Sequence, residues 1–396
     1  MLIYAMAKRY RTRLYERKCL EEPSSTPTLP AEIFVDILSR LPVEAMTQCK
    51  SVCKSWRDLL STPYFARLHF AKAKPSSLLF CHCSGNKTKL YCCHIHSSRS
   101  SNINNAMVSM PTKFKLPKNT FRGKVVGSSN GLLCLSEIHR MKKKFYICNP
   151  ITGEYVGIAG PKVEQGWHVF EPIGFFYNPQ NQQCKILMPR VRVGYGNFPG
   201  SGQIFTLGSN SWRNIDIPGH LHLIRAVPLN GALHWISTRD DRHISSFDME
   251  NEQALSIALP DQVVMHTASL AGLGNFLCIF DNEYPEFNIW VMKEYGVEES
   301  WKHYTVKRSP NSHYRPVAIK EDASILLIQN SETLISYDPK TKESRALYDQ
   351  IGDRRFVYIH TPSLVPLKDI LIGAGHYKIL NVRKRKRCST INFLEF

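Results

Sequence analysis

The sequence predicts a multidomain α+β chain, with a small helical unit near its start and a large all-β, propeller-like domain after it. Three observations predict this. Helical periodicity is confined to a stretch before residue 72. From Leu78 onward, short runs rich in Val, Ile, Leu, Phe and Tyr are bounded by Gly, Pro, Asn and Asp. A turn signature also recurs at intervals near the length of a propeller blade. The 396 residues allow two or three domains, and 43% apolar with 21% charged residues is a globular rather than a disordered composition. The longest apolar runs, such as Ile325 to Ile328, fall far short of the ~20 residues of a membrane span.

Residues 1–28 read as a basic extension ending in the linker CLEEPSSTPT. The start, MLIYAMAKRYRTRLYERK, places apolar residues before the charges, the reverse of a secretory leader, so the 12 cysteines are expected to be reduced thiols. The helical unit is read over 29–72, with three helices. In LPAEIFVDILSRLP, the residues Ile33, Phe34, Ile37, Leu38 and Leu41 recur as one apolar stripe, and Pro30 suits a first helical turn. Pro42 opens a second helix. A third, from Ser51 to Leu60, is expected to bury Val52, Trp56, Leu59 and Leu60, with Pro63 ending it.

The β domain is read over 78–380. Its strands include SLLFCHC, KLYCCHI, KVVGSSNGLLCL, KFYICNP, GNFLCIFD, FNIWVMK and SILLIQN. The recurring turn is an apolar strand end, then Asn or Asp, then polar residues. It appears as ICNPITGE, YNPQNQQ, FDMENEQ and YDPKTKE, with a looser copy in FTLGSNSW. Equivalent positions are 149, 178, 206, 248 and 338, and FNIWVMKEYGVEESW supplies the copy missing from the last interval. A basic tail, 381–396, closes the chain.

The stretch LPAEIFVDILSRLPVEAMTQCKSVCKSWRDLLSTPYFARLHF (29–70) resembles an F-box. The segments GSSNGLLCL, YICNPITGEY, VPLNGALHW and IWVMKEYGVEESW resemble the F-box-associated interaction domain of the large plant F-box family. The resemblance implies a non-catalytic substrate receptor of a Skp-cullin-F-box ubiquitin ligase. Its F-box would pack on the Skp adaptor, and through it meet cullin and RING subunits. Its β domain would present a protein substrate for ubiquitination and degradation. Carried over by position, the adaptor-facing residues are Leu29, Pro30, Ile33, Ile37, Leu38, Leu41, Pro42 and Val43, with Trp56 as internal packing. Two positions depart from the family: Thr47 stands where a larger apolar residue is usual, and Gln48 where a basic one is common.

Gly127-Ser128-Ser129-Asn130-Gly131 matches the G-x-S-x-G hydrolase elbow in letters, but a strand rather than a helix follows, so Asn-Gly reads as a hairpin turn. Cys81-His82-Cys83 and Cys92-Cys93-His94-Ile95-His96 are soft-ligand residues at an uncommon zinc spacing, and strand cysteines serve equally as small apolar residues; no metal or cofactor is assigned. Arg383-Lys384-Arg385-Lys386-Arg387 is a candidate nuclear-import signal, so nucleus and cytoplasm are the expected compartments. Lys142-Lys143-Lys144 reads as a hairpin loop. Tyr195 and Phe198, in VRVGYGNFPGSG, are candidate substrate contacts on a rim loop. The net charge is +18, of which +11 lies between the two termini; such a field favours acidic partners, whether nucleic acid, an anionic membrane surface or an acidic protein, and does not choose among them, and an acidic protein substrate is the expectation that goes with the family resemblance. The rival readings are a nucleic-acid binder using that charge and a propeller metalloenzyme with a His/Tyr/Cys centre on its axis.

Overall fold

The computed structural model describes residues 30–73, 77–84, 87–94, 107–108, 123–139, 142–162, 164–169, 174–178, 183–192, 201–209, 211–217, 226–236, 242–282, 285–348, 357–370 and 380–381. Four helices lead: α1 (Ala31–Ser39), α2 (Val43–Val52), α3 (Lys54–Leu60) and α4 (Pro63–Lys72). The sequence reading had three. Pro63 begins a helix rather than ending one, because its missing N–H costs nothing at a first turn, and the Thr62 hydroxyl caps that turn by accepting the Phe65 N–H at 3.2 Å. Cys53 is extended and separates α2 from α3; its Sγ accepts the Trp56 N–H at 3.5 Å. That break re-phases the chain. Trp56, Leu59 and Leu60 turn inward, but Val52 turns outward and is 64% exposed, contrary to expectation.

Among the described residues, the β part forms six antiparallel sheets, each of four or five strands. The chain first lays down β1 (Ser77–Ser84), β2 (Lys87–His94) and β3 (Met107–Val108). A second sheet follows: β4 (Gly123–Ser129), β5 (Leu132–His139), β6 (Lys142–Asn149) and β7 (Glu154–Ala159). In the third, β8 (Trp167–Val169) and β9 (Gly174–Asn178) both line one edge of β10 (Gln183–Arg192), followed by β11 (Ser201–Thr206) and β12 (Trp212–Asp216). The fourth is β13 (Val227–Leu229), β14 (Ala232–Ile236), β15 (His243–Asp248) and β16 (Ala254–Ala258). The fifth is β17 (Ser269–Leu273), β18 (Phe276–Asp281), β19 (Glu286–Met292) and β20 (Trp301–Lys307). The sixth is β21 (Tyr314–Ile319), β22 (Ile325–Gln329), β23 (Thr333–Asp338) and β24 (Glu343–Tyr348). Then β25 (Val357–His360) returns to pair with β1, and β26 (Leu380–Asn381) adds to the outer edge of β7.

The strands β4, β9, β13, β17, β21 and β25 pack each against the next, and β25 against β4, which closes a ring. This is a propeller whose closing blade takes one strand from near the C-terminus and three from near the N-terminus. Apolar side chains fill the space between blades on both faces. Leu187 and Ile204 meet Trp235 and Phe247; Ile244 and Ile257 meet Trp290 and Met292; Phe287 and Ile289 meet Tyr314 and Leu327. Runs such as ILLIQ are therefore apolar without strict alternation. Two tryptophans staple neighbouring blades: Trp212 Nε1 donates to the Ala159 carbonyl at 2.9 Å, and Trp301 Nε1 to the Ala258 carbonyl at 3.3 Å.

The recurring turn has a physical basis. Asn149, Asp248 and Asp338 each accept, on a side-chain oxygen, the N–H two residues on, at 2.9, 2.7 and 2.8 Å. Four residues after each comes a positive φ, at Gly153, Glu252 and Lys342. These turns join the third and fourth strands of a blade, as do FTLGSNSW and the loop between β19 and β20. The copy at 178 does not belong with them, because Asn178 ends β9 and leads into β10. Asn130-Gly131 and Asn230-Gly231 have positive φ at both residues and close the β4–β5 and β13–β14 hairpins. Lys142, Lys143 and Lys144 begin β6 rather than forming a loop.

Candidate adaptor-docking face and its support

The apolar stripe read as one on α1 divides into two faces. Leu38 is buried and Phe34 and Leu41 are half-buried against Met46, Leu60, Phe65 and Trp56. Phe34 meets Trp56 edge-on, with ring centroids 4.8 Å apart. Ile33 and Ile37, one helical turn apart, point the other way and are 49% and 46% exposed. Of the residues carried over as adaptor-facing, Pro30, Ile33, Ile37 and Pro42 are exposed. Leu38 and Val43 are buried and Leu41 is half-buried in this chain; the 100° step per residue turns Leu38 inward from Ile37, Leu41 follows the end of α1, and Val43 opens α2. Leu29 lies outside the described residues. Val52 on α2, expected to be buried, and Tyr64 on α4, not singled out, are both exposed; the break at Cys53 and the helix start at Pro63 were the signals that could have placed them. Gln48 is exposed.

Polar contacts lock α1 to α4. Asp36 accepts hydrogen bonds from Arg40, at 2.9 and 3.3 Å, and from the Lys72 ammonium, which also donates to Ser39 Oγ at 2.8 Å. The Arg40 and Lys72 bonds hold the Asp36 carboxyl at about 2. Buried His69 donates its Nε2–H to the Leu41 carbonyl at 2.8 Å, tying α4 to the end of α1.

The helical unit does not complete its own core. Residues 361–366, between β25 and the short helix α5 (Leu367–Ile370), form a strap beneath it, and Leu364 packs into the cluster of Leu38, Met46, Leu60 and Phe65. Asn149 holds this strap. Its Nδ2 donates to the Ser363 and Val365 carbonyls, at 3.0 and 2.8 Å, while its Oδ1 shapes the turn by accepting the Ile151 and Thr152 N–H groups. The Glu154 carboxylate accepts the Leu367 N–H at 2.5 Å. From the other side, Phe70 of α4 packs against the core of the second and third blades. A Cβ at Gly131 would stand 2.2 Å from Ser363 and 3.2 Å from Phe70. The motifs GSSNG and NPITGEY thus converge on one seat, joining helical unit to propeller.

Among the described residues, no three His, Cys, Asp or Glu side chains are placed to hold a metal ion. The β1–β2 register sets Cys81 opposite Leu90 and Cys92 opposite Leu79, so the two cysteine runs do not pair across the hairpin. Ser129, the elbow serine, accepts the Tyr177 N–H at 3.2 Å in a hairpin with no following helix. Tyr195, Phe198 and the run Arg383 to Arg387 lie outside the described residues.

Residues 26–71 match the F-box-like family, and residues 77–356 match the F-box associated beta propeller domain. This chain belongs to the F-box associated β-propeller family. It is 29% identical to F-box protein At3g07870 of Arabidopsis thaliana, over 79% of this chain and 85% of that protein. It is 26% identical to F-box/kelch-repeat protein At3g23880 of the same plant, over 77% and 86%. Likeness to solved structures is loose: TolB from Acinetobacter baumannii is 10% identical, with a TM-score of 0.40 over 69% of this chain and 64% of that one. An F-box joined to such a propeller is the architecture of a substrate-recognition subunit in general. The seat built by Asn149, Gly131, Phe70 and Leu364 is where its two domains meet.

Proposed function

We propose that this F-box protein is a substrate receptor of a Skp-cullin-F-box ubiquitin ligase. Its α1 face takes the Skp adaptor, and its propeller holds a protein for ubiquitination. The observation that carries the reading is the exposed Ile33–Ile37 pair on a helix whose opposite face is locked into a core that the propeller strap completes. Apolar side chains at i and i+4 are what a partner's groove takes from a helix. The rigid seat then sets the distance between adaptor and substrate, and catalysis is by proximity, with the covalent steps left to the conjugating enzyme. The basic run Arg383 to Arg387 would add nuclear import.

The test is co-purification of the full chain with a plant Skp adaptor and cullin. Ile33→Ala/Ile37→Ala should lose capture, by an expected ~2 kcal/mol or more, while melting as wild type does because both residues are already exposed. Leu38→Ala should instead lower the melting point. Undiminished capture by the double variant, or none by folded wild type, overturns the assignment.

A further inference from the structure

Seven large apolar side chains are conspicuously exposed among the described residues, and they fall in two groups. Ile33, Ile37, Val52 and Tyr64 belong to the F-box; Leu255, Tyr295 and Val297 belong to the propeller. In the second group, Leu255 and Tyr295 share one row of the fourth blade, and Val297 lies two residues after Tyr295 on the same loop. His234, Ser246 and Leu255 are successive cross-strand partners on β14, β15 and β16, so their side chains share a face of the fourth blade. The loop between β19 and β20 reaches across from the fifth blade and lays Tyr295 on that row: its hydroxyl is 2.6 Å from His234 Nε2 and 3.4 Å from Ser246 Oγ. Leu255, Tyr295 and Val297 are 58%, 42% and 40% exposed.

Among the described residues, the strand carrying Leu255 is an outer edge. Other outer strands are defended: β12 carries Arg213 and Asp216, β20 carries Lys302 and Lys307, β24 carries Glu343 and Arg345, β7 is covered by β26, and β3 is two residues long. β16 reads Ala-Leu-Ser-Ile-Ala, uncharged, with Ala254, Leu255 and Ser256 exposed, while Ile257 is buried against Trp290 and Met292 and the Ala258 carbonyl takes the Trp301 bond. The overhanging loop is acidic, with exposed Glu294, Glu298 and Glu299 against one Lys293, in a chain of net charge +18.

We propose that the edge of β16, which no described strand pairs, binds an extended, apolar partner segment flanked by basic residues, which adds a fifth strand to the fourth blade. Main-chain hydrogen bonds to β16 would hold the segment, alternate side chains would rest on Leu255 and Tyr295, and Glu298 and Glu299 would select its Lys or Arg flanks. The local charge is opposite to that of the whole chain, so the contact favours a basic segment. This inference deepens the substrate-receptor reading and rests on it for the identity of the partner as a substrate.

The probe is a fluorescent ten-residue peptide of alternating valine and threonine with two lysines at each end, titrated against the full chain by anisotropy. Wild type should bind it about tenfold or more tightly than a version with glutamates at the ends, with the advantage shrinking as salt rises. Leu255→Lys should abolish binding, and Glu298→Lys/Glu299→Lys should reverse the end-charge preference. Both variants should still co-purify with the Skp adaptor, which keeps the two readings separable. Adaptor capture without peptide binding sinks this inference alone; peptide binding without adaptor capture sinks the ligase reading alone. Equal binding by Leu255→Lys, or a wild-type dimer that this substitution dissolves, overturns the assignment, the latter by showing that a second copy covers the edge.

Discussion

His360 ends β25 completely buried, with Nδ1 2.9 Å from the Ser128 hydroxyl and Nε2 without a hydrogen-bond partner. Burial holds its pKa down at about 4, and burial does the same for His234, against the opposing pull of the Val227 carbonyl. Each is neutral when folded and takes a proton near 6.5 when unfolded. The unfolded chain therefore binds more protons between those values, so stability is complete above about 6.5 and declines as pH falls toward 4, by up to ~3 kcal/mol per histidine. Below that, Asp36, held at about 2, loses its bonds to Arg40 and Lys72 and adds to the loss. Thermal melts from pH 7.5 to 4.5 should show the midpoint falling steeply, and His360→Gln should flatten the slope. A midpoint level across that range would refute the buried-neutral assignment.

One short element, the strap at 361–366, links the two parts, and Asn149 is its clasp. Asn149→Ala removes both strap bonds and the turn's acceptor and leaves buried carbonyls unpaired, an expected loss of about 2–4 kcal/mol. Asn149→Asp keeps an acceptor for the turn but no donor for the strap. Both variants should raise hydrogen exchange at 361–367 and, through Leu364, in the helices over 31–72. Unchanged exchange in the helices would show that the strap does not support the F-box. This element also marks a limit of reading from sequence. The turn chemistry of NPITGEY was legible because Asn and Gly act on neighbours. Its hold on Ser363 was not, since nothing local ties residues 214 positions apart. The α1 stripe was legible as apolar, but not which half faced inward, since that depended on α4 and Leu364.

At the scale of the whole molecule, the repeat was visible in the sequence where blades are contiguous. It was hidden in the blade that joins the two ends, because β25 and β1 to β3 come from opposite ends of the chain. The copy at 178 misled for a related reason: a polar turn after an apolar strand looks the same at either end of a blade. Ring closure makes the C-terminal segment serve both domains at once. Truncation after residue 350 removes β25, which pairs with β1, and also the strap that fills the F-box core. Truncation after residue 381 removes only the basic tail and leaves every described strand. The shorter chain should lose cooperative melting and adaptor capture together, whereas the longer should melt as the full chain does and keep capture. If the chain ending at 350 retained adaptor capture with a normal melt, the F-box would be an independent module hung on the propeller, and the distance from adaptor to substrate would be set by a linker instead of by the fold.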